Sequence, residues 1–115
     1  MSVGVVIVSY RTGPTLSACL DALARVTGLD EIVLVDNGNA RAETRALDAF
    51  AAEDARVRLL RGQGNVGFAS GCNMGAAAAK SDTLVFTNPD VILEPDALTR
   101  LDEALAAAGT PAVLG

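Results

Sequence analysis

The stretch RGQGNVGFASGCNMG, residues 61–75, decides how this chain is to be read. Gly62, Gly64 and Gly67 spell G-x-G-x-x-G, the fingerprint of a turn that cradles the pyrophosphate of a dinucleotide such as NAD. That reading requires a strand before the motif, a helix after it, and an acidic residue ~20 positions on at the carboxyl end of the next strand. VRLLR (57–61) supplies the strand and NVGFASGCNMGAAAAK (65–80), rich in small residues, supplies the helix. The acidic residue is the weak point. Asp82 has the offset but precedes its strand, and Asp90 stands at the correct end but late and behind Pro89. The same glycines serve equally as turn residues and as packing surface for a helix lying close to a sheet. That second reading leaves Asn65 and Asn73 without a role.

Working outward, VGVVIVSY (3–10) and EIVLVDNG (31–38) are β-branched runs without alternation, as expected of strands buried on both faces. TLVFTNPD (83–90) reads as a fourth strand that stops at Pro89. Between the strands lie helical patterns. Leu16, Leu20 and Leu23 follow Gly13-Pro14, with Pro14 expected in the first turn, and a weaker helix runs through Ala46, Leu47 and Phe50. EPDALTRLDEALAAAG (94–109) carries Leu98, Leu101 and Leu105 on one face with Gly109 past its end, and PAVLG (111–115) begins a fifth strand. Regular alternation of strand and helix predicts an α/β fold, three-layered and Rossmann-like, with a mainly parallel sheet and helices on both faces. In such sheets ligands bind beyond the carboxyl ends of the strands, where the connections diverge. The polar groups at those ends are Ser9-Tyr10-Arg11, Asp36-Asn37-Gly38 and Asn88-Pro89-Asp90.

Composition narrows the function. At 115 residues the chain is one domain or part of one, half its residues are hydrophobic, and its net charge is −5. The acidic balance excludes non-specific nucleic-acid binding, which needs a basic face. No apolar run approaches the ~20 residues of a membrane span, and no leader pattern opens the chain, which predicts a cytoplasmic protein. Cys19 and Cys72 have no metal-type spacing and read as buried free thiols. A receiver-type module would carry an acidic pair after its first strand, where Ser9-Tyr10-Arg11 has none. A non-catalytic doubly wound interaction module stays open beside the NAD-binding alternative.

Four segments taken together resemble the family 2 glycosyltransferases, which have the GT-A fold. They are VVIVSYR (5–11), IVLVDNG (32–38), GNVGFASGCNMGAAAA (64–79) and VFTNPDVIL (85–93), in that order. They correspond to the family's first strand, its V-D-N-G-S block, its N-x-G-x-x-x-x-x-N-x-G block and its D-x-D region. The N-P-D-V form looks most like the rhamnosyltransferase-type branch. The resemblance implies that residues 1–115 are the nucleotide-sugar-binding half of such a domain, with the acceptor-binding half absent.

By position, the resemblance makes Tyr10 a stacking surface for a pyrimidine and Asp36 the acceptor of the N3–H that uracil and thymine carry. Ser9, Arg11, Asn37, Asn65, Gly67, Asn73 and Asn88 fall on the nucleotide-binding surface, with Asn65 and Asn73 near base and ribose. From the residues alone, Asp36 equally suits a helix N-cap and Asn-Pro-Asp a turn that closes a strand. Asp90, the last Asp of the motif, would hold Mg²⁺ or Mn²⁺ across the donor's two phosphates. Asn88 replaces the first Asp and removes one negative charge from that site. Asn39 stands where the family commonly has Ser, and Arg11 where it often has Asn.

The implied reaction is inverting transfer of a sugar, rhamnose by the N-P-D-V likeness, from a dTDP- or UDP-sugar to a hydroxyl of a carbohydrate or lipid-linked acceptor, as in cell-wall polysaccharide synthesis. The family's general base lies beyond the D-x-D region, and neither Glu94 nor Asp96 is assigned to it, since both suit a helix start. Nucleotide binding without transfer by this chain alone is expected. So are association with the membrane periphery for the full-length protein and self-association through an exposed sheet edge.

Overall fold

The structure, a computed structural model, describes residues 2–108, the side chains of residue 102 and of 104–108 apart. Four strands and four helices alternate: β1 (Val3–Tyr10), α1 (Thr15–Ala24), β2 (Glu31–Gly38), α2 (Arg41–Glu53), β3 (Val57–Leu60), α3 (Phe68–Ala78), β4 (Thr83–Thr87) and α4 (Ala97–Ala108). All pairings are parallel and the strand order is β3-β2-β1-β4. The expected strand at 111–115, the stop at Gly109 and the placement of Leu105 lie outside the described residues.

The central strands explain the layers. Side chains alternate across a strand, so Val5, Ile7, Ile32 and Leu34 face one side of the sheet and Val6, Val8, Val33 and Val35 the other. Both sets are buried, as the unbroken apolar runs predict. The first side receives Leu16, Cys19, Leu20 and Leu23 of α1, Leu47 of α2 and Leu98 of α4. Leu47 is the one buried residue of α2, and its burial contributes about 1.5–3 kcal/mol. The second side receives α3 alone, giving three layers with α1, α2 and α4 opposite α3.

Two glycines set how closely α3 lies on the sheet. A Cβ on Gly71 would fall 2.8 Å from Val8 Cγ1, and one on Gly75 would collide with Val6 Cγ1. The small-residue pattern of 65–80 is therefore a contact surface. The helix is shorter than expected, because Gly67 holds φ +86° and α3 starts only at Phe68. Asn65 to Gly67 form instead a turn in which the Gly67 N–H donates to Asn65 Oδ1 at 3.1 Å. Pro14 stands one residue before α1 rather than inside its first turn.

The chain runs from β1 outward through β2 to β3, then crosses back through α3 to β4 on the other side of β1. The connections diverge between β1 and β4. That is where a ligand cleft is expected.

Candidate functional site

A cleft of about 410 Å³ opens at that divergence. Tyr10 ends β1 and Thr12 follows it, Asn37 is the penultimate residue of β2, Asn65, Gly67 and Phe68 lead into α3, and Asn88, Pro89 and Asp90 follow β4. Residues far apart in sequence thus share one wall-to-wall space, because parallel strands bring all their carboxyl ends to one edge.

The β1 wall is shaped by an irregularity. Ser9 pairs with Asp36 but Tyr10 pairs with Gly38, so Asn37 is an extra residue between them. Asn37 is buried, donates from Nδ2 to the Gly67 carbonyl at 3.1 Å, and accepts at Oδ1 from Gln63 Nε2 at 3.1 Å. Gln63 Nε2 also donates to the Asp36 carbonyl at 2.9 Å. Tyr10 remains 43% exposed. The Arg11 guanidinium lies over its ring, 5.2 Å from the centroid, a cation–π contact. Arg11 holds φ +47°, outside the usual range for a non-glycine residue, and its N–H donates to the Gly38 carbonyl at 2.8 Å.

Asp36 precedes Asn37 in β2 and is itself buried. Its Oδ1 accepts from the Gly38 N–H at 3.0 Å and from Asn39 Nδ2 at 2.8 Å, while its Oδ2 meets only Arg61 Nη2, at 3.4 Å. Arg61, at the end of β3, is also paired with Asp48 of α2. Asp36 caps no helix. The residue before α2 is Ala40, without a side-chain cap bond, so the carboxylate closes its own turn instead.

Of the residues singled out from the sequence, Tyr10, Asn37, Asn65, Gly67, Asn88 and Asp90 line the cleft, whereas Asp36, next to Asn37 in β2, is buried and is not among the lining residues. Three more do not reach it. Ser9 is buried, its hydroxyl sharing a 2.6 Å hydrogen bond with Thr12 Oγ1 and donating to Asn39 Oδ1 at 3.1 Å, so it serves the loop rather than a ligand. Asn73 is exposed on α3, on the side away from the sheet-facing Gly71 and Gly75. Arg11 is exposed and stacked on Tyr10, off the cleft lining. Sequence reasoning passed over Thr12, Arg61 and Gln63. Arg61 stands at a strand's carboxyl end, and the rule that selected Asp36 would have selected it too.

The dinucleotide reading of Gly62-x-Gly64-x-x-Gly67 lacks its geometry. All three glycines have positive φ, and a Cβ on any of them would meet nothing within 4 Å. None therefore provides the close helix–strand approach that the fingerprint's last glycine exists for. The motif also leaves an edge strand, β3, rather than the central one.

Among the described residues Asp90 is the only carboxylate on the cleft, and no group of three or more His, Cys, Asp or Glu is placed to hold a metal. One carboxylate beside the Asn88 amide suits a hard cation that takes its other oxygens from a phosphate ligand and water. Burial pushes the Cys19 thiol up to about 11, and the Asp90 charge adds to the effect. Cys19 is buried as expected, whereas Cys72 is partly exposed, and both are free.

Fold and cleft together define a parallel α/β domain of the ligand-binding, doubly wound class. The model for glycosyl transferase family 2 matches residues 4–115, and the chain belongs to that family. It is 30% identical over 114 residues to the glycosyltransferase GlyG of Streptococcus pneumoniae, covering 98% of this chain and 38% of that one. It is 35% identical over 105 residues to the succinoglycan biosynthesis protein ExoO of Rhizobium meliloti, covering 90% of this chain and 30% of that one. The chain thus spans about a third of the length of these relatives.

Among solved structures, the mannosyltransferase PcManGT of Pyrobaculum calidifontis, in complex with GDP-Man and Mn²⁺, superposes with a TM-score of 0.80 at 22% identity, over 90% of this chain and 32% of that one. S. aureus TarS in complex with UDP-GlcNAc gives 0.79 at 15% identity, over 93% and 32%. The α/β fold matches the N-terminal part of such GT-A structures. Among the described residues no helix is long and apolar enough to cross a membrane.

Proposed function

We propose that the cleft binds the nucleoside diphosphate of a sugar donor, and that the chain is the donor-binding part of an inverting glycosyltransferase. One observation carries this: Tyr10, Asn37, Asn65, Asn88 and Asp90 line a single space at the strand-order switch, and Asp36 adjoins Asn37 in β2. The relatives solved with UDP-GlcNAc and with GDP-Man and Mn²⁺ support a nucleotide-sugar ligand.

The chemistry of each group fits that ligand. Tyr10 offers a π-face to a base. Asp36 Oδ2, with a single long contact, has acceptor capacity for the N3–H of uracil or thymine, and a charged acceptor makes a strong hydrogen bond. Asn37 and Asn65 present amides along the wall towards ribose. Asn88 and Asp90, on the opposite wall, are reserved for the diphosphate, Asp90 through Mg²⁺ or Mn²⁺. When bound, that cation offsets the charge developing on the departing diphosphate. UDP and dTDP are the donors this base recognition admits, and dTDP-rhamnose is the donor that the Asn88-Pro89-Asp90-Val91 form favours.

Transfer also needs a base for the acceptor hydroxyl. Asp90 is reserved for the cation, and among the described residues the cleft has no second carboxylate. Asp96 pairs with Arg100, and Glu94 lies along a separate apolar groove. The chain alone is therefore expected to bind donor and not to transfer sugar.

Tyr10 is the only tyrosine and the chain has no tryptophan, so its emission reports on the site directly. Titration of UDP or dTDP with Mn²⁺, followed by Tyr10 emission and by calorimetry, is expected to show saturable binding that Asp36→Ala abolishes. Absence of binding, or equal binding by Asp36→Ala, refutes the assignment.

A further inference from the structure

Asn39 does not line the cleft, yet its side chain joins the two loops that build the β1–β2 wall. Nδ2 donates to Asp36 Oδ1 at 2.8 Å and to the Ser9 carbonyl at 3.3 Å. Oδ1 accepts from the Thr12 N–H at 3.0 Å and from the Ser9 hydroxyl at 3.1 Å. A primary amide has two N–H donors and two lone pairs, and here all four have partners. Three of those partners lie at the end of β1 (Ser9, twice) and on the loop after it (Thr12), 27 to 30 residues away in sequence, and the fourth is the Asp36 carboxylate. No carboxylate or single hydroxyl reproduces two donors and two acceptors at that reach.

We infer that Asn39 is a positioning residue for base recognition. It clamps the loop after β1 to the loop after β2, which fixes Tyr10 relative to Asp36. By occupying Asp36 Oδ1, it also makes Oδ2 the oxygen that meets the ligand. The second step rests on the nucleotide reading above; the clamp itself does not.

Two measurements on three variants separate these steps. Amide hydrogen exchange without ligand compares Thr12 and Gly38 with the strand amides of Val6 and Val33. Calorimetry with UDP and Mn²⁺ reads binding. Asn39→Ala is expected to speed exchange at Thr12 and Gly38 by about tenfold or more while Val6 and Val33 are unchanged. It weakens UDP binding by about tenfold or more, the scale of one lost charge-assisted hydrogen bond.

Asn39→Asp keeps oxygens for the Thr12 N–H and the Ser9 hydroxyl but loses the donors to Asp36 and to the Ser9 carbonyl. Thr12 stays protected while UDP binding falls, a combination that general loosening does not produce. Asn39→Ser, too short to bridge, behaves as Asn39→Ala. The inference is overturned if Asn39→Asp binds UDP as tightly as the parent, or if Thr12 exchange is unchanged in Asn39→Ala. If the parent binds no UDP, the donor reading fails, and exchange at Thr12 and Gly38 alone decides the clamp. Should Asn39→Ala not fold, Asn39→Ser carries the same two measurements.

Discussion

Strand β2 carries a carboxylate at each end, Glu31 and Asp36, and each residue is 7% exposed. Their surroundings differ. Both oxygens of Glu31 are filled. Oε1 accepts from the Ser81 hydroxyl at 2.8 Å and from the N–H groups of Lys80 and Ser81, and Oε2 from Lys80 N–H and from Arg58 Nε at 2.9 Å. Asp36 has one oxygen doubly bonded and the other with a single contact at 3.4 Å. A carboxylate that only holds the fold together ends with its acceptors saturated, since an unpaired buried acceptor is costly. One kept for a ligand retains an oxygen. The end of the sheet with the open acceptor is also the end with the cleft.

The largest effect expected from this contrast is on stability at the saturated end. Glu31→Gln leaves the donors of Lys80, Ser81 and Arg58 facing an amide that can accept at only one atom. The loss should be about 2–3 kcal/mol in urea denaturation, against about 1 kcal/mol or less for Asp36→Asn. Equal losses at the two positions would dissolve the distinction.

Acid should sharpen it. Burial raises the Glu31 carboxyl, but the bonds from Ser81, Lys80 and Arg58 outweigh burial and hold it below its ordinary 4.5. A group depressed on folding contributes stability that is complete above the unfolded value and disappears as pH falls through the folded one. The gap between parent and Glu31→Gln should be constant from neutral pH to about pH 5 and close below that.

Smaller again is Arg61→Ala. Arg61 and Asp48 are exposed but Asp36 is buried, so stability should fall by about 1 kcal/mol or less. Removing the only contact of Asp36 Oδ2 should nevertheless alter UDP affinity measurably by calorimetry. No change would mean that Oδ2 is not the recognising oxygen.

The sequence made some of this architecture plain and concealed the rest for definable reasons. β1 and β2 were legible because strands buried on both faces must be apolar at successive positions, and VGVVIVSY and EIVLVDNG are. The strand ends followed, and with them Tyr10, Asn37, Asn88 and Asp90. Serial position failed where direction mattered. Ser9 lies one residue from Tyr10 but points inward, and Asn73 is on the helix face opposite the glycines that meet the sheet. Contacts between distant loops were invisible. Glu31 reads as an ordinary polar residue opening a strand, although its partners are 27 to 50 positions away, and Asn39 as a simple departure from the family's Ser. The start of α3 was misplaced because a single glycine conformation, at Gly67, decides it.

Among the described residues the sheet has two edges, β3 and β4, and they pose the same contrast in apolar form. β3 is four residues long and carries Arg58, a charge that discourages strand addition. β4, TLVFT, has no charge or proline, and beside it runs a groove of about 630 Å³. Of six large hydrophobic residues exposed among those described, Phe68, Phe86, Val91 and Ile92 line this groove. Glu94 and Arg100 border it with opposite charges, so two copies related by a two-fold axis present complementary rims. Self-association through this edge is the expected outcome in sedimentation velocity at rising concentration. Replacing Phe86 and Ile92 together by Asp should abolish it at a stability cost of no more than about 2 kcal/mol, because about half of each residue is already in water. A strictly monomeric parent at high concentration would show that an uncharged edge and an apolar groove are not enough to bring two copies together.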